Sequence, residues 1–285
     1  MVWMLKFAIA VVAAIGILKL AGGHESSPLA TTTDALNYAT AARYVNNSSH
    51  KAVIVGSSLS VRMSDDYLAS ANIENLALSG ESAVTGLKIA AEATPAPKVV
   101  LIEANILVRR VNKDLIDKLA DQTSVFRPVR AVAQYYETLM HAPKSKEDAR
   151  VRVDRLIASP PSSSSGTELA PQILAEAQAV PQQEAVHRTI ADIRKFKAIL
   201  ESNGAIVLLF HMPCSPEYEN TPLATRSTEL ASDAFPSTSD WLNIAVDQSQ
   251  LRWTDGIHLD PRSAALVARF IGHEVDKFMA SKTGS

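Results

Sequence analysis

The chain has 285 residues, of which 47% are hydrophobic, and its 28 basic and 30 acidic side chains give a net charge of −2. This composition excludes a chain that is disordered throughout, and the lack of a basic excess argues against nucleic-acid binding. A single cysteine, Cys214, excludes an internal disulfide framework, a cysteine zinc cluster and an iron–sulfur site.

The first patterned segment is an apolar run near the N-terminus. Val2 to Ala21 contains only two charged residues, Lys6 and Lys19, and both lie towards its ends. About 20 apolar residues cross the hydrocarbon core of a bilayer, and terminal lysines can extend to its interface. The run predicts a membrane anchor over residues 1–22, with a cleaved secretory signal as the alternative. Under both interpretations the rest of the chain is exported.

Four short apolar runs in the remaining sequence predict buried strands that alternate with helices. Strands that are apolar on both faces indicate a parallel sheet covered by helices on both sides, which is a three-layer α/β fold. The predicted strands are Lys51–Gly56, Asn72–Leu78, Lys98–Glu103 and Ala205–Phe210. The main predicted helices are Asp34–Val45, Ser82–Ala93, Gln182–Ser202 and Asp260–Ala280, the first and last with aspartate as the N-cap.

The segment over about 125–185 interrupts this alternation. It is helical by pattern, and its Ser159–Gly166 stretch is rich in serine and proline, which predicts a flexible loop. We therefore expect one catalytic domain over residues 34–285 that carries an insertion at about 125–185.

Reactive residue types follow several of the predicted strands. In open parallel sheets, sites form beyond the carboxyl ends of the strands. Ser58 lies in a Gly-Ser turn after the first strand, where its hydroxyl can be exposed as a nucleophile. Asp255 and His258, three residues apart before the last helix, can supply the carboxylate and base of a triad. Gly80, the amide of Asn105 and the backbone N–H of Ser58 can stabilise an oxyanion.

Each residue alone has a simpler interpretation, such as a turn at Ser58, a capping amide at Asn105 or a helix start at His258. Their order along the chain and their placement, mostly at strand ends, favour a site. Two known motifs are excluded. Ser60 stands where the nucleophile elbow of α/β hydrolases needs glycine, and no Gly-Lys-Ser/Thr sequence completes a phosphate-binding loop.

Other residues are weaker candidates for substrate binding. Trp253 is a candidate for stacking on a sugar ring, with core packing as the alternative. Arg109 and Arg110 follow Asn105 and are candidates for binding an anionic substrate, with a solvated turn as the alternative.

His211 and Cys214 lack a second pair of metal ligands, so we expect neither a metal nor a cofactor.

Four blocks of this sequence resemble the conserved blocks of the SGNH/GDSL esterases. They are VIVGSSLS around Ser58, LSGES around Gly80, IEAN ending at Asn105, and DGIH from Asp255 to His258. The resemblance implies an SGNH or flavodoxin-like fold, with Ser58 as nucleophile, His258 as base and Asp255 orienting the base. It also implies an oxyanion hole formed by Ser58, Gly80 and Asn105.

The resemblance covers about residues 50–107 and 205–280, and it has two departures from the family pattern. Ser57 replaces the usual aspartate before the nucleophile. Glu103 and Ile106 replace the glycine and aspartate around Asn105. Because the first aspartate is not a triad member, we expect its loss to be tolerated, whereas the second departure alters the surroundings of the oxyanion hole.

The predicted anchor favours one branch of this family. An acyl-serine can react with water or with a sugar hydroxyl. One N-terminal span followed by an SGNH-like domain resembles the membrane-anchored O-acyltransferases of cell-surface polysaccharides, such as those of alginate acetylation or teichoic acid D-alanylation. This implies a periplasmic or extracytoplasmic O-acyltransferase that receives its acyl group, expected to be acetyl, from a multi-spanning membrane acyltransferase. A simple esterase is the alternative, and a non-catalytic scaffold is a third interpretation, against which the complete triad argues.

Overall fold

The computed structural model describes residues 32–46, 51–68, 72–120 and 146–283. The predicted anchor over 1–22 and the first part of the 125–185 segment lie outside these residues. None of the helices within the described ranges combines the length and hydrophobicity that a bilayer crossing requires. The chain divides into two compact units, Met1–Ala39 and Thr40–Ser285, and the sheet and the candidate site belong to the second.

A parallel sheet forms the centre of the second unit, as predicted. Its strands, in the spatial order β2-β1-β3-β4, all run in one direction. The register aligns Ile54 with Leu101 and Leu101 with Leu208, so the apolar runs of β1, β3 and β4 lie side by side. The strands are β1 (Ala52–Val55), β2 (Ile73–Asn75), β3 (Val99–Glu103) and β4 (Ile206–Phe210).

Helices and short helical turns connect the strands. The helices are α1 (Thr33–Asn46), α2 (Ser58–Val61), α3 (Asp65–Leu68), α4 (Ala83–Ala91), α5 (Lys113–Ala120), α6 (Lys146–Ala158), α7 (Pro171–Ala177), α8 (Gln183–Ser202), α9 (Pro216–Glu219), α10 (Pro222–Ala234) and α11 (Pro261–Thr283). Two 3₁₀ turns follow α10, at Thr238–Asp240 and Gln248–Gln250.

Side-chain caps explain where two of these helices begin. Asp260 caps α11 as predicted, because its Oδ1 accepts the Ser263 N–H at 2.7 Å. The predicted cap of α1 is wrong. The Ala35 N–H donates to Oγ1 of Thr32 at 3.3 Å, and Asp34 lies in the first turn of the helix. An acidic side chain in the first turn interacts favourably with the helix dipole, so Asp34 still indicates where the helix begins.

The sheet is covered on both faces, which confirms the three-layer α/β prediction. Ile54, Leu101 and Leu208 on one face belong to a single buried cluster with Val267 and Ile271 of α11. Helices α4 and α8 pack together and contact the strands. Gly86 allows α4 to lie close to β1, since a Cβ there would be 2.8 Å from the Leu76 carbonyl oxygen and 3.2 Å from Cβ of Val55.

The described part of the 125–185 segment is packed against the core. Ala149 and Val153 of α6 are buried, and α6 contacts α11. Ser159–Gly166 was predicted to be flexible from its composition, but its backbone is fixed against the loop that precedes α11. The Trp253 N–H donates to the Ser165 carbonyl at 3.0 Å, and the Gly256 N–H donates to the Gly166 carbonyl at 2.9 Å. Serine and proline content reports only local preferences, whereas these hydrogen bonds are long-range.

Candidate active site

The candidate residues lie around the point where the strand order reverses. From β1 the chain passes to β2 on one side, and it then returns to β3 on the other side of β1. Such a reversal opens a crevice beyond the carboxyl ends of the two central strands. Ser58 begins α2 two residues after Gly56, and Asn105 lies two residues after the end of β3.

A continuous chain of hydrogen-bond contacts joins Ser58, His258 and Asp255. His258 Nε2 lies 3.0 Å from Ser58 Oγ, across 200 residues of sequence. His258 Nδ1 lies 2.7 Å from Asp255 Oδ2. The other carboxylate oxygen, Oδ1, accepts the His258 backbone N–H at 2.9 Å, so Asp255 contacts both the ring and the main chain of the histidine. The structure thus brings together the three residues that the sequence singled out, in the order nucleophile, base and orienting carboxylate.

Two opposing effects act on the Asp255 carboxylate. Burial alone would raise its pKa, but hydrogen bonds from the His258 ring and backbone outweigh burial, so the pKa of Asp255 is below its usual value. The carboxylate therefore stays ionised throughout the neutral range. An ionised carboxylate can hold the imidazole in one orientation and stabilise the imidazolium that forms when the ring accepts a proton.

Two backbone N–H groups, one in the turn that carries Ser58 and one in the loop after β2, are candidates for stabilising an oxyanion. Neither the Ser58 N–H nor the Gly80 N–H has a hydrogen-bond acceptor among the described residues. Gly80 has a φ of +77°, which glycine adopts without steric cost, and the Leu78 N–H donates to the Gly56 carbonyl at 3.0 Å. This hydrogen bond ties the Gly80 loop to the turn that carries Ser58.

Asn105 is held differently from a free oxyanion donor. Its Oδ1 accepts the Met212 N–H at 2.8 Å, and its Nδ2 donates to the Met212 carbonyl at 2.9 Å. Nδ2 also lies 3.8 Å from the Cys214 sulfur, which is a weak acceptor. One amide hydrogen is therefore committed to the backbone after β4, and the other is opposed only by sulfur. A reacting oxygen would have to replace the Cys214 contact.

Trp253 does not present a face for stacking. It is 7% exposed, belongs to the main buried cluster, and its Nε1 donates to the Pro213 carbonyl at 3.2 Å. The stacking hypothesis for Trp253 is therefore wrong, and the core-packing alternative holds, because the side chain is buried in the main hydrophobic cluster. Arg110 is exposed on the loop after β3, while Arg109 is half-buried with an Nη1 that has no hydrogen-bond partner among the described residues.

A cavity that the sequence does not indicate lies beyond the end of β4. It has a volume of about 480 Å³ and is lined by both polar and apolar side chains. The rings of His211 and Trp241 stack in its wall with centroids 5.0 Å apart and planes 13° from parallel. Burial lowers the pKa of His211 to about 4, so its ring is uncharged at neutral pH. The same wall includes Met212, which is the residue that Asn105 holds.

No local sequence pattern indicates this cavity. Trp241 comes 31 residues after the end of β4, and an isolated parallel bridge to Leu209 brings it back beside that strand. His211 is close in sequence to Cys214, a second candidate metal ligand, but in the structure its ring stacks on Trp241 in the cavity wall. An aromatic residue after a proline-flanked helix gives no local pattern that distinguishes a cavity wall from core.

Comparisons with known proteins returned only a distant structural likeness. No family model matches the chain, and no curated protein matches it. One crystal structure that resembles it comes from Bacteroides fragilis and is provisionally described as an acylhydrolase. That protein is 11% identical, the alignment covers 90% of this chain and 99% of that chain, and the TM-score is 0.44.

Proposed function

We propose that this protein is a serine-dependent acyl-transfer enzyme with Ser58 as nucleophile. The observation that carries the proposal is the contact chain from Ser58 Oγ through the His258 ring to Asp255, with distances of 3.0 Å and 2.7 Å. A serine hydroxyl is weak unless a base can accept its proton as the new bond forms. A histidine that contacts both the hydroxyl and a carboxylate meets that requirement, and a non-catalytic scaffold would have no need of it.

The proposed reaction has two halves. Ser58 Oγ attacks the acyl carbonyl carbon while His258 Nε2 accepts the hydroxyl proton, and the carbonyl oxygen becomes an oxyanion. When the oxyanion collapses, the bond to the leaving group breaks and that group takes the proton from His258, which leaves an acyl-serine. His258 then accepts a proton from the acceptor hydroxyl, whose oxygen attacks the acyl carbon. Ser58 recovers its proton as it leaves.

Three donors are proposed for the oxyanion. The Ser58 and Gly80 N–H groups are supported by their lack of an acceptor among the described residues. Fixed donors of this kind stabilise charge that develops in the transition state without having to reorganise. The Asn105 amide is the third proposed donor, and it is supported by its position two residues past β3 and by the weak sulfur contact of its second hydrogen.

We further propose that the acyl acceptor is a cell-surface polysaccharide and that residues 1–22 anchor the enzyme in the membrane. The apolar run from Val2 to Ala21 supports the anchor, and it would keep Ser58 near a multi-spanning membrane acyltransferase that supplies the acyl group. The cavity beside Met212 supports a sugar acceptor, because its size and its mixture of an aromatic pair with polar side chains suit a sugar ring. A soluble acyl ester would be the substrate of the alternative, an esterase.

The nucleophile is tested by Ser58→Ala in the full-length chain. We expect this variant to lose turnover of a small acyl ester by several orders of magnitude, because the residual rate comes only from binding and oxyanion stabilisation. The measurement is initial-rate kinetics, with thermal melting as the control for folding. Near-wild-type turnover in a normally folded variant would remove Ser58 as the nucleophile.

Transfer is tested against hydrolysis by following the product. The full-length protein in detergent is given a model acyl ester, with and without an oligosaccharide acceptor, and free acid and acylated sugar are quantified. We expect slow hydrolysis without acceptor and a shift of product towards acylated sugar with it, because a transferase must protect its acyl-serine from water. Trp241→Ala should weaken acceptor dependence while leaving hydrolysis of the small ester unchanged. Rapid hydrolysis that ignores the acceptor would favour the esterase.

A further inference from the structure

Glu103, the last residue of β3, is a buried carboxylate whose contacts all lead to the nucleophile turn. It is 1% exposed. Its Oε1 accepts the Ser57 hydroxyl at 2.6 Å, and its Oε2 accepts the Ser60 hydroxyl at 2.6 Å. Oε2 also accepts the backbone N–H groups of Ser57 and Ser60, both at 3.1 Å. No basic side chain forms an ion pair with Glu103 among the described residues, so four donors from two serines compensate its burial.

These hydrogen bonds determine which backbone donor remains free. Two N–H groups of the turn are committed to Glu103, and the Leu59 N–H donates to Ser57 Oγ at 3.3 Å. The Ser58 N–H, between them, has no acceptor among the described residues. The carboxylate therefore fixes the turn on both sides of Ser58 and leaves the Ser58 N–H of this turn available to a reacting oxygen.

Gly56 is part of the same arrangement. A Cβ at this position would lie 2.7 Å from Glu103 Oε2 and 2.7 Å from Ser60 Oγ, closer than real Cβ contacts. Only glycine therefore leaves room for the carboxylate beneath the turn. Gly56, Ser57, Ser60 and Glu103 form one buried unit, which we name the Glu103 cradle.

We propose that Glu103 is a positioning residue that holds Ser58 for acyl transfer, and this inference rests on the proposed function. Glu103 reaches neither substrate nor the reacting atoms in this arrangement. It acts through Ser57 and Ser60, and it sets the direction of the Ser58 hydroxyl and N–H together. Two of the replaced positions, Ser57 and Glu103, then form one coupled change, because the carboxylate expected at position 57 is supplied instead from position 103 of the neighbouring strand.

The first test is Glu103→Gln in the full-length chain, which keeps the side-chain shape but replaces one acceptor oxygen with a donor. We expect kcat for a small acyl ester to fall by roughly 10²-fold with KM nearly unchanged, because a displaced nucleophile affects the reaction and not the binding. Covalent labelling of Ser58 by a fluorophosphonate should slow by a similar factor. Unchanged kcat and labelling would overturn the proposal.

A matched control separates positioning from stability. Val99→Ala lies at the other end of β3, removes buried apolar surface and touches no member of the Glu103 cradle. It should lower the melting temperature while kcat per folded molecule stays at the wild-type value. If Glu103→Gln lost activity only in proportion to its unfolded fraction, as Val99→Ala does, Glu103 would be merely structural and the proposal would be wrong.

Rescue by a relocated carboxylate is the second test. Glu103→Gly alone should be impaired, and Ser57→Asp combined with Glu103→Gly should recover at least tenfold in kcat, because the carboxylate returns to the position that the family pattern uses. Failure of the pair to exceed Glu103→Gly would overturn the coupling between the two positions. Activity that survives Ser58→Ala would instead refute the proposed function, so the two failures are distinguishable.

Discussion

Short contacts join Ser58, His258 and Asp255, but the three proposed oxyanion donors differ in the partners that they already have. Of the three proposed donors, the Ser58 and Gly80 N–H groups have no acceptor among the described residues, whereas Asn105 is paired with both backbone groups of Met212. A donor that is already engaged contributes only through its remaining hydrogen. The contribution of Asn105 therefore depends on whether its second amide hydrogen can leave the Cys214 sulfur for a reacting oxygen.

Replacement of Asn105 measures that contribution. We expect Asn105→Ala to lower kcat by roughly 10²–10³, the usual loss for one oxyanion donor. Asn105→Asp is the matched control, since it can still accept the Met212 N–H but has no amide hydrogen to donate. Both variants should show the kinetic loss in steady-state assays of a small ester, with melting curves to monitor the lost Met212 contacts. A normal kcat in both would leave Ser58 and Gly80 as the donors.

At the scale of elements, the loop that carries Asp255 and His258 is held by a segment from a distant part of the chain. Gly166 has a φ of +61°, and a Cβ there would collide with the Trp253 carbonyl. Gly256 has a φ of +86°, and a Cβ there would lie 2.9 Å from the Thr167 carbonyl. The two loops are thus in backbone-to-backbone contact, and the position of the base depends on the segment from 159 to 169.

Gly166→Ala tests this dependence. The added methyl group must separate the two loops, so we expect kcat to fall at least tenfold and the protein to lose more than about 1 kcal/mol of stability. Gly204→Ala is the matched control, because Gly204 also has a positive φ, of +84°, but no atom of the described residues, its chain neighbours aside, lies within 4 Å of its Cβ position. That variant should lose stability by about 1 kcal/mol through backbone strain alone and keep its kcat. Equal kcat in both variants would contradict the dependence.

At the scale of the whole molecule, burial of a titratable ring links stability to pH. Burial lowers the pKa of His211 from 6.5 to about 4. Between these two values the unfolded chain binds a proton that the folded chain does not, so the free energy of unfolding decreases as pH falls. Each pKa unit corresponds to about 1.4 kcal/mol, so the difference between the two pKa values changes the free energy of unfolding by about 3 kcal/mol. Stability from this source is complete above pH 6.5 and is lost as pH falls towards 4.

His211→Phe removes the titration and keeps an aromatic ring beside Trp241. We expect the loss of unfolding free energy between pH 7 and pH 4.5 to be smaller in this variant by about 2 kcal/mol. Urea denaturation of the wild type and the variant at both pH values gives the comparison, and other groups that titrate in this range cancel between the two proteins. The same pH dependence in both would show that His211 is not the source.

Sequence alone determined the features that local patterns encode. Runs of β-branched and aliphatic residues located all four strands of the sheet, and their two-sided hydrophobicity indicated parallel pairing between helical layers. Turns after strands singled out Ser58, and the spacing from Asp255 to His258 fits a short loop before a capped helix. These signals are legible because strand burial, turn formation and capping each depend on a few neighbouring residues.

Only the tertiary structure decided the contacts between distant segments. It placed His258 against Ser58 across 200 residues, and it paired the Glu103 carboxylate with Ser57, two positions that depart from the family pattern in separate blocks of the sequence. It also buried Trp253, a position that the sequence left open between a sugar platform and the core. The physical reason is that these outcomes depend on which strands become neighbours and which loops dock together, and such pairings leave no periodic trace in either partner segment.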